Sequence, residues 1–409
     1  MPFLTRRLPC LRRPPRHNCG ADLQPQSFDF FNLGEPIKLV DMRLVGINAK
    51  PYNGGGSTEV YTTLALTSDQ ALFQAIIGNL ASAIEHNAQQ VGEHVSLGRA
   101  NTVLMVQRAD GTGELWIDKA AMCTYSTLKR PGPLAAGTVL FEADIADITG
   151  VWFPKVDIGP TDRVLCIIRE GWRFGLYFDF RQKGDFSVQE ATQTLGTLYR
   201  RMRFADLYAA VANQPTFDGL VSAGWFPFLE IVGNEFKNLM STHENGFPLK
   251  DTEHALIEKF DNPRLDRMFS RWMEKPSLKA KETILRPALN AYQAKEPVSV
   301  IKIILTEIEG VMAEAYFHVK GERTRQMKKL LAFMIDLAEE RAGGKDTLFF
   351  PADFGRYLVR YTYRNFEPGD TDSGGSRHAV GHGAAPSDQY DMTRALQAIL
   401  TLDQLAFYI

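Results

Sequence analysis

The sequence predicts an α+β protein, with an antiparallel sheet in the first half of the chain and helices in the second. Three observations carry this. From about residue 35 to residue 185 the text is rich in β-branched and aromatic residues, as in TVLMVQRADGTGELWID and RVLCIIREGWRFGLYFDF. Turn residues interrupt these runs at hairpin spacing: Asp110-Gly111-Thr112-Gly113 in the first and Glu170-Gly171 in the second. After Asp185 the apolar residues recur at helical spacing.

Within the strand-like half one segment is helical, SDQALFQAIIGNLASAIEHNAQQ. Ser68 is its expected N-cap, and Phe73, Ile76, Ile77, Leu80 and Ile84 form its apolar face. The helical half opens at Ser187, whose spacing to Glu190 is that of a capping box. Helical text continues through PFLEIVGNEFKNLM, DTEHALIEKF and LDRMFSRWMEK to the long amphipathic stretch 297–319. A further helix ends at Gly343, a natural C-terminal stop. PADFGRYLVRYTYRNF follows, and the last helix is expected to start at Ser387 or Asp388. The resulting division is a basic tail, 1–26, a β-rich α+β domain, 27–186, a helical middle region, 187–295, and a C-terminal helical bundle, 296–409.

With 409 residues the chain is long enough for two or three domains. Apolar residues make up 44% and charged residues 23%, and the net charge is -2, so contact with a polyanion requires a local basic patch. Cys10, Cys19, Cys123 and Cys166 form no CxxC pair, which argues against structural zinc and for a reducing, cytoplasmic setting. Cys123 and Cys166 lie in strand text and are expected to be buried thiols. No apolar run approaches the roughly 20 residues that span a bilayer. The start carries Arg6, Arg7, Arg12, Arg13 and Arg16 among prolines, which fits neither a secretory signal nor an amphipathic transit peptide and reads as a disordered tail.

Chemistry concentrates near the C-terminus, in GGSRHAVGHGAAPSDQY, residues 374–390. Arg377 and His382 stand in an R-x4-H spacing. Arginine offers a permanently charged fork for phosphate, and histidine exchanges a proton near neutrality. One of each suffices to cut RNA through its own 2′-hydroxyl, with neither metal nor cofactor. On a helix, residues five apart diverge by about 140°, so one chain would hold a splayed half-site.

The pattern Arg377-His378-Ala379-Val380-Gly381-His382, with Gly383 after it, resembles the R-x(4–6)-H signature of the HEPN superfamily. The segment KIILTEIEGVMAEAY is similar to an early helix of such domains. The resemblance covers about residues 296–409. It implies a helical bundle that pairs as a homodimer and brings two motifs to one RNA-binding cleft. Arg377 and His382 would be its catalytic residues, with His378 supporting. The function implied is a metal-independent endoribonuclease, with the N-terminal domain as a sensor. The alternative is a non-catalytic module that dimerises or binds a partner.

Other residues admit plainer readings. His378 and His382 also form an i, i+4 pair that could hold a metal with Asp372 or Asp388, but residue 379 is alanine and no third ligand is evident. Glu307 and Glu309 sit in an apolar helix and point to different sides. Solvation is the ordinary state for both, and pairing of one, Glu309, with Arg377 would give it a supporting role. His86 and His94 read as exposed. YRRMR, residues 199–203, could meet phosphate but more often such a run is a solvated helix face. NGGGSTE lacks the lysine of a P-loop and reads as a turn. Trp116, Trp152 and Trp172 read as sheet core.

Overall fold

The computed structural model describes residues 33–181, 183–364 and 376–409. The expected N-terminal tail and most of the glycine-rich loop before Ser376, with Asp372, lie outside these residues. The chain is α+β, with an antiparallel sheet in its first half and mostly helices in its second.

The strands are β1 (Ile37–Leu39), β2 (Thr63–Thr67), β3 (Thr102–Gln107), β4 (Gly113–Ile117), β5 (Cys123–Leu128), β6 (Ile145–Trp152), β7 (Arg163–Glu170) and β8 (Arg173–Asp179), and α1 (Ala71–Gln90) follows β2. Six strands make one antiparallel sheet in the order β1-β4-β3-β7-β8-β2, while β5 and β6 pair separately. Both faces of the sheet are covered, which explains why its strands read as unbroken apolar runs. Val103, Met105, Leu165, Ile167, Leu176 and Phe178 pack against Phe73, Ile76, Leu80 and Ile84 of α1. The alternate residues Leu104, Val106, Val164, Cys166, Ile168 and Tyr177 face the opposite way. There they meet Val151 of β6 and Ala191, Leu195 and Met202 of α2 (Val188–Arg203).

Several local features follow the sequence closely. Ser187 caps α2 by accepting a hydrogen bond from the Glu190 amide at 3.2 Å. Others shift. The N-cap of α1 is Gln70, because the Ser68 hydroxyl instead accepts from the Phe174 amide. Cys166 is buried but Cys123 is only half-buried. Trp116 is 5% exposed and belongs to the core, whereas Trp172 is 73% exposed. The turn between β7 and β8 consists of Gly171 and Trp172, so this tryptophan occupies the hairpin tip and has no sheet face to bury against.

The rest of the chain forms α3 (Ala205–Ala212), α4 (Gln214–Ser222), α5 (Asn234–Glu244), α6 (Lys250–Glu258), α7 (Asn262–Trp272), α8 (Pro276–Lys279) and α9 (Glu282–Gln293). It continues with α10 (Pro297–Lys320), α11 (Met327–Ala342), α12 (Pro351–Tyr357) leading into a π turn over Leu358–Thr362, α13 (Arg377–Gly381) and α14 (Met392–Tyr408). One apolar cluster runs from Leu207 to Tyr408, so the helices on either side of residue 296 share a core. Gly343 ends α11 in the left-handed conformation, as its position predicts. The final helix starts later than Ser387, because Asp391 caps it by accepting from the Arg394 amide at 2.7 Å, while Ser387–Gln389 form a separate turn.

The YRRMR run is a solvated helix face only in part: Arg201 is exposed, but Arg200 is buried and all three arginines are paired within the protein. Arg200 is 2% exposed and donates to the Ile148 carbonyl, the Tyr208 hydroxyl and Asp346. Arg201 pairs with Asp346, and Arg203 with Glu142 and Glu170. The run therefore fastens the sheet to the helices. Asp147 of β6 completes the joint by accepting from Thr347 and the Leu348 amide.

The crossing of α2 over β6 is unusually close. A Cβ on Gly196 would stand 2.4 Å from the Gly150 Cα. Gly78 in α1, by contrast, faces open space. Gly196→Ala is therefore expected to destabilise the protein by about 3 kcal/mol or more through overpacking, and Gly78→Ala to stabilise it by about 0.5–1 kcal/mol through helix propensity. Urea denaturation of the two variants measures both.

Candidate functional site

The helix α10 positions the site. Val300, Ile301, Ile304, Leu305, Ile308, Val311, Met312 and Ala315 commit one face to the core. That choice leaves Glu307 and Glu309 half-buried at the edges of the face. Glu307 pairs with Lys281, which precedes α9. Glu309 receives Arg377 Nη2 on its Oε2 at 2.6 Å. Solvation, the ordinary state for such carboxylates, thus gives way to two ion pairs.

Arg377 is the first residue of α13. The Ser376 hydroxyl caps this short helix by accepting from the Ala379 amide at 3.3 Å. Ala379 and Val380 are buried beneath it, and Val380 joins the large helical core. These contacts are local enough to order a helical turn where the glycines suggest a loop. They also decide where the other motif residues point. His378 is half-buried, with its ring edge-on to Tyr363 at 6.3 Å between centroids. Burial lowers its pKa, and the neighbouring Arg377 and His382 lower it further. His382 is the exposed C-cap residue.

Below the ion pair, Arg377 Nε and the Tyr363 hydroxyl are buried with no hydrogen-bond partner among the described residues. Burial raises the Tyr363 pKa, Glu309 raises it further, and Arg377 opposes the shift.

Arg377 and Glu309 open onto a cleft of about 640 Å³. Lys281, Arg323, Arg325 and Arg377 supply four cations to its lining, against the carboxylates of Glu309 and Glu314. Neither His378 nor His382 lines it. The structure therefore brings Arg377 together with Glu309, and places His382 on open surface outside the cleft. Lys281, Arg323 and Arg325 are the residues that motif reading missed. The one signal for two of them is the cationic run RTRQMKK, residues 323–329, which spans the turn after α10 and the start of α11.

Among the described residues no group of three His, Cys, Asp or Glu side chains comes together as a metal ion requires. Among the same residues no helix is long and apolar enough to cross a membrane.

The Arg377–Glu309 pair is about one quarter exposed on each side, which limits its strength. A double-mutant cycle with Arg377→Ala and Glu309→Ala is expected to give a coupling energy of about 1 kcal/mol in chemical denaturation. A coupling near zero would mean that the two side chains do not hold each other in solution.

No family model, curated protein or solved structure matches this chain.

Proposed function

We propose that the helical half is a non-catalytic binding module, in which Arg377 serves a ligand or partner at the cleft instead of forming half of a cleavage site. One observation carries this reading: the Arg377 guanidinium is held by Glu309 at a cleft that neither histidine lines. Cleavage through a 2′-hydroxyl needs a base and a cation on the same phosphodiester, each within hydrogen-bond reach. Within one copy Arg377 lines the cleft while the imidazole of His382 faces solvent outside it, so the two groups do not meet on one phosphodiester.

A second reading keeps the metal-independent endoribonuclease, of HEPN type, with the site completed by a second copy of the chain. One observation favours it: His382 is exposed and so accessible to a partner.

Incubating RNA in EDTA with the wild type, His382→Ala and Arg377→Ala separates the two. The binding module predicts no cleavage above background and no difference among the three proteins. Cleavage by the wild type that is lost in His382→Ala would overturn it in favour of the nuclease.

A further inference from the structure

We infer that the cleft beside Arg377 binds a small phosphorylated ligand of about nucleotide size, with Arg323 and Arg325 as its principal anion contacts. The inference deepens the binding-module reading by naming the ligand class, and rests on it.

The charges at the cleft are unequally matched. Lys281 has Glu307 and Arg377 has Glu309. Glu314 approaches His318 at 3.4 Å. Arg323 stacks on the Phe317 ring at 4.4 Å, an arrangement that fixes the guanidinium without neutralising it. Arg323 and Arg325 have no carboxylate partner among the described residues. Two planar guanidiniums on either side of Thr324 present two forks to one volume, and such forks match phosphoryl oxygens in pairs. Two unneutralised forks favour a ligand carrying more than one negative charge, such as a phosphoryl group, over one with a single carboxylate.

The floor of the cleft points the same way. Gly310 lies inside α10, where glycine costs helix stability relative to alanine. A Cβ at this position would come within 3.1 Å of Lys281 Nζ. The missing side chain leaves room for the lysine to lie across the helix and keep its ammonium at the cleft. The volume, about 640 Å³, is within the range of small-molecule sites and far larger than one phosphate needs. Glu309 holds one end of the Arg377 fork, through Nη2, and an entering phosphoryl group competes with it. The carboxylate is therefore a tethered competitor.

The test uses the full chain and calorimetric titration with three probes: inorganic tripolyphosphate, a ribonucleoside triphosphate and a short RNA. Circular dichroism checks the fold of every variant; Arg323 and Arg325 are exposed, so their replacement leaves the core intact. The wild type is expected to bind at least one phosphorylated probe, and the double variant R323A/R325A to bind it about tenfold or more weakly. Glu309→Gln is expected to bind more tightly, because it frees the Arg377 fork. Binding of the triphosphate without the RNA supports a free nucleotide as the ligand; binding of the RNA alone overturns the assignment of a small ligand. Absence of binding to all three probes, or equal affinity in the wild type and the double variant, overturns the inference. His382-dependent RNA cleavage overturns the parent reading instead, whether or not the two arginines matter.

Discussion

A helix with no solvent face must satisfy every polar group it carries, and α14 is such a helix. Each residue from Arg394 to Tyr408 is buried. Its polar side chains are therefore contacts with particular elements and not a hydrated stripe. Gln397 accepts from the Tyr361 hydroxyl and donates to the Ala223 carbonyl. Gln404 accepts from the Leu229 amide and donates to the Phe349 carbonyl. Asp403 accepts from Arg271 at 2.7 and 2.9 Å and from the Trp272 indole at 2.7 Å. The spacing of these groups along one helix fixes the register of the segments around it. The apolar faces alone would allow those segments to slide.

The charge on Asp403 extends this constraint across the molecule. Arg271 also meets Glu230 at 3.0 Å, and Arg264 bridges Glu230 to Glu235. Burial pushes the Glu230 carboxyl up, but Arg271, Arg264 and Lys129 outweigh it and leave the pKa below its ordinary value. Arg271 donates further to the Lys129 carbonyl, just after β5. A buried ion pair adds little net stability compared with apolar packing, yet losing one partner costs about 3–5 kcal/mol. The network therefore acts on specificity: it penalises every arrangement in which one of its members lacks a partner. Arg200, Asp147 and Asp346 do the same between α2, β6 and the chain before α12. α10 packs against α14 through its own apolar face, and the edge of α10 that carries Glu309 meets Arg377.

Legibility in the sequence follows the range of the interaction. The Ser187 cap, the Gly343 stop and the turn between β3 and β4 depend on residues within a few positions of each other, and they are readable. For Trp172 the turn lies one residue later than the sequence suggests, which converts a core position into a tip. Arg200 reads as part of a solvated face because two of its partners, Ile148 and Asp346, lie 52 and 146 residues away, and no local pattern distinguishes it from Arg201 beside it. The site divides in the same way. Arg377, His378 and His382 stand out by type and spacing. The sequence also offers Glu309 as the partner of Arg377, and the rotation of α10, which its packing sets, brings the two together. The cleft cations come from α8–α9 and from the turn after α10, so only folding assembles them.

The position of Arg325 bears on what that assembly is for. Cations near the end of α10 have a structural explanation of their own. His318 and Lys320 lie in its last turn, close to the negative end of the helix dipole, before Gly321 ends the helix in the left-handed conformation. Arg323 lies beyond that turn but is held by the Phe317 ring. The dipole fades within the last turn, so it does not account for Arg325. This residue has no carboxylate and no aromatic ring in contact among the described residues, yet it lines the cleft beside Arg323 and Arg377. Folding gains nothing visible from gathering a third guanidinium there, since like charges repel. An anion supplied from outside converts that repulsion into attraction, and it does so at the place where the histidines of the motif are absent.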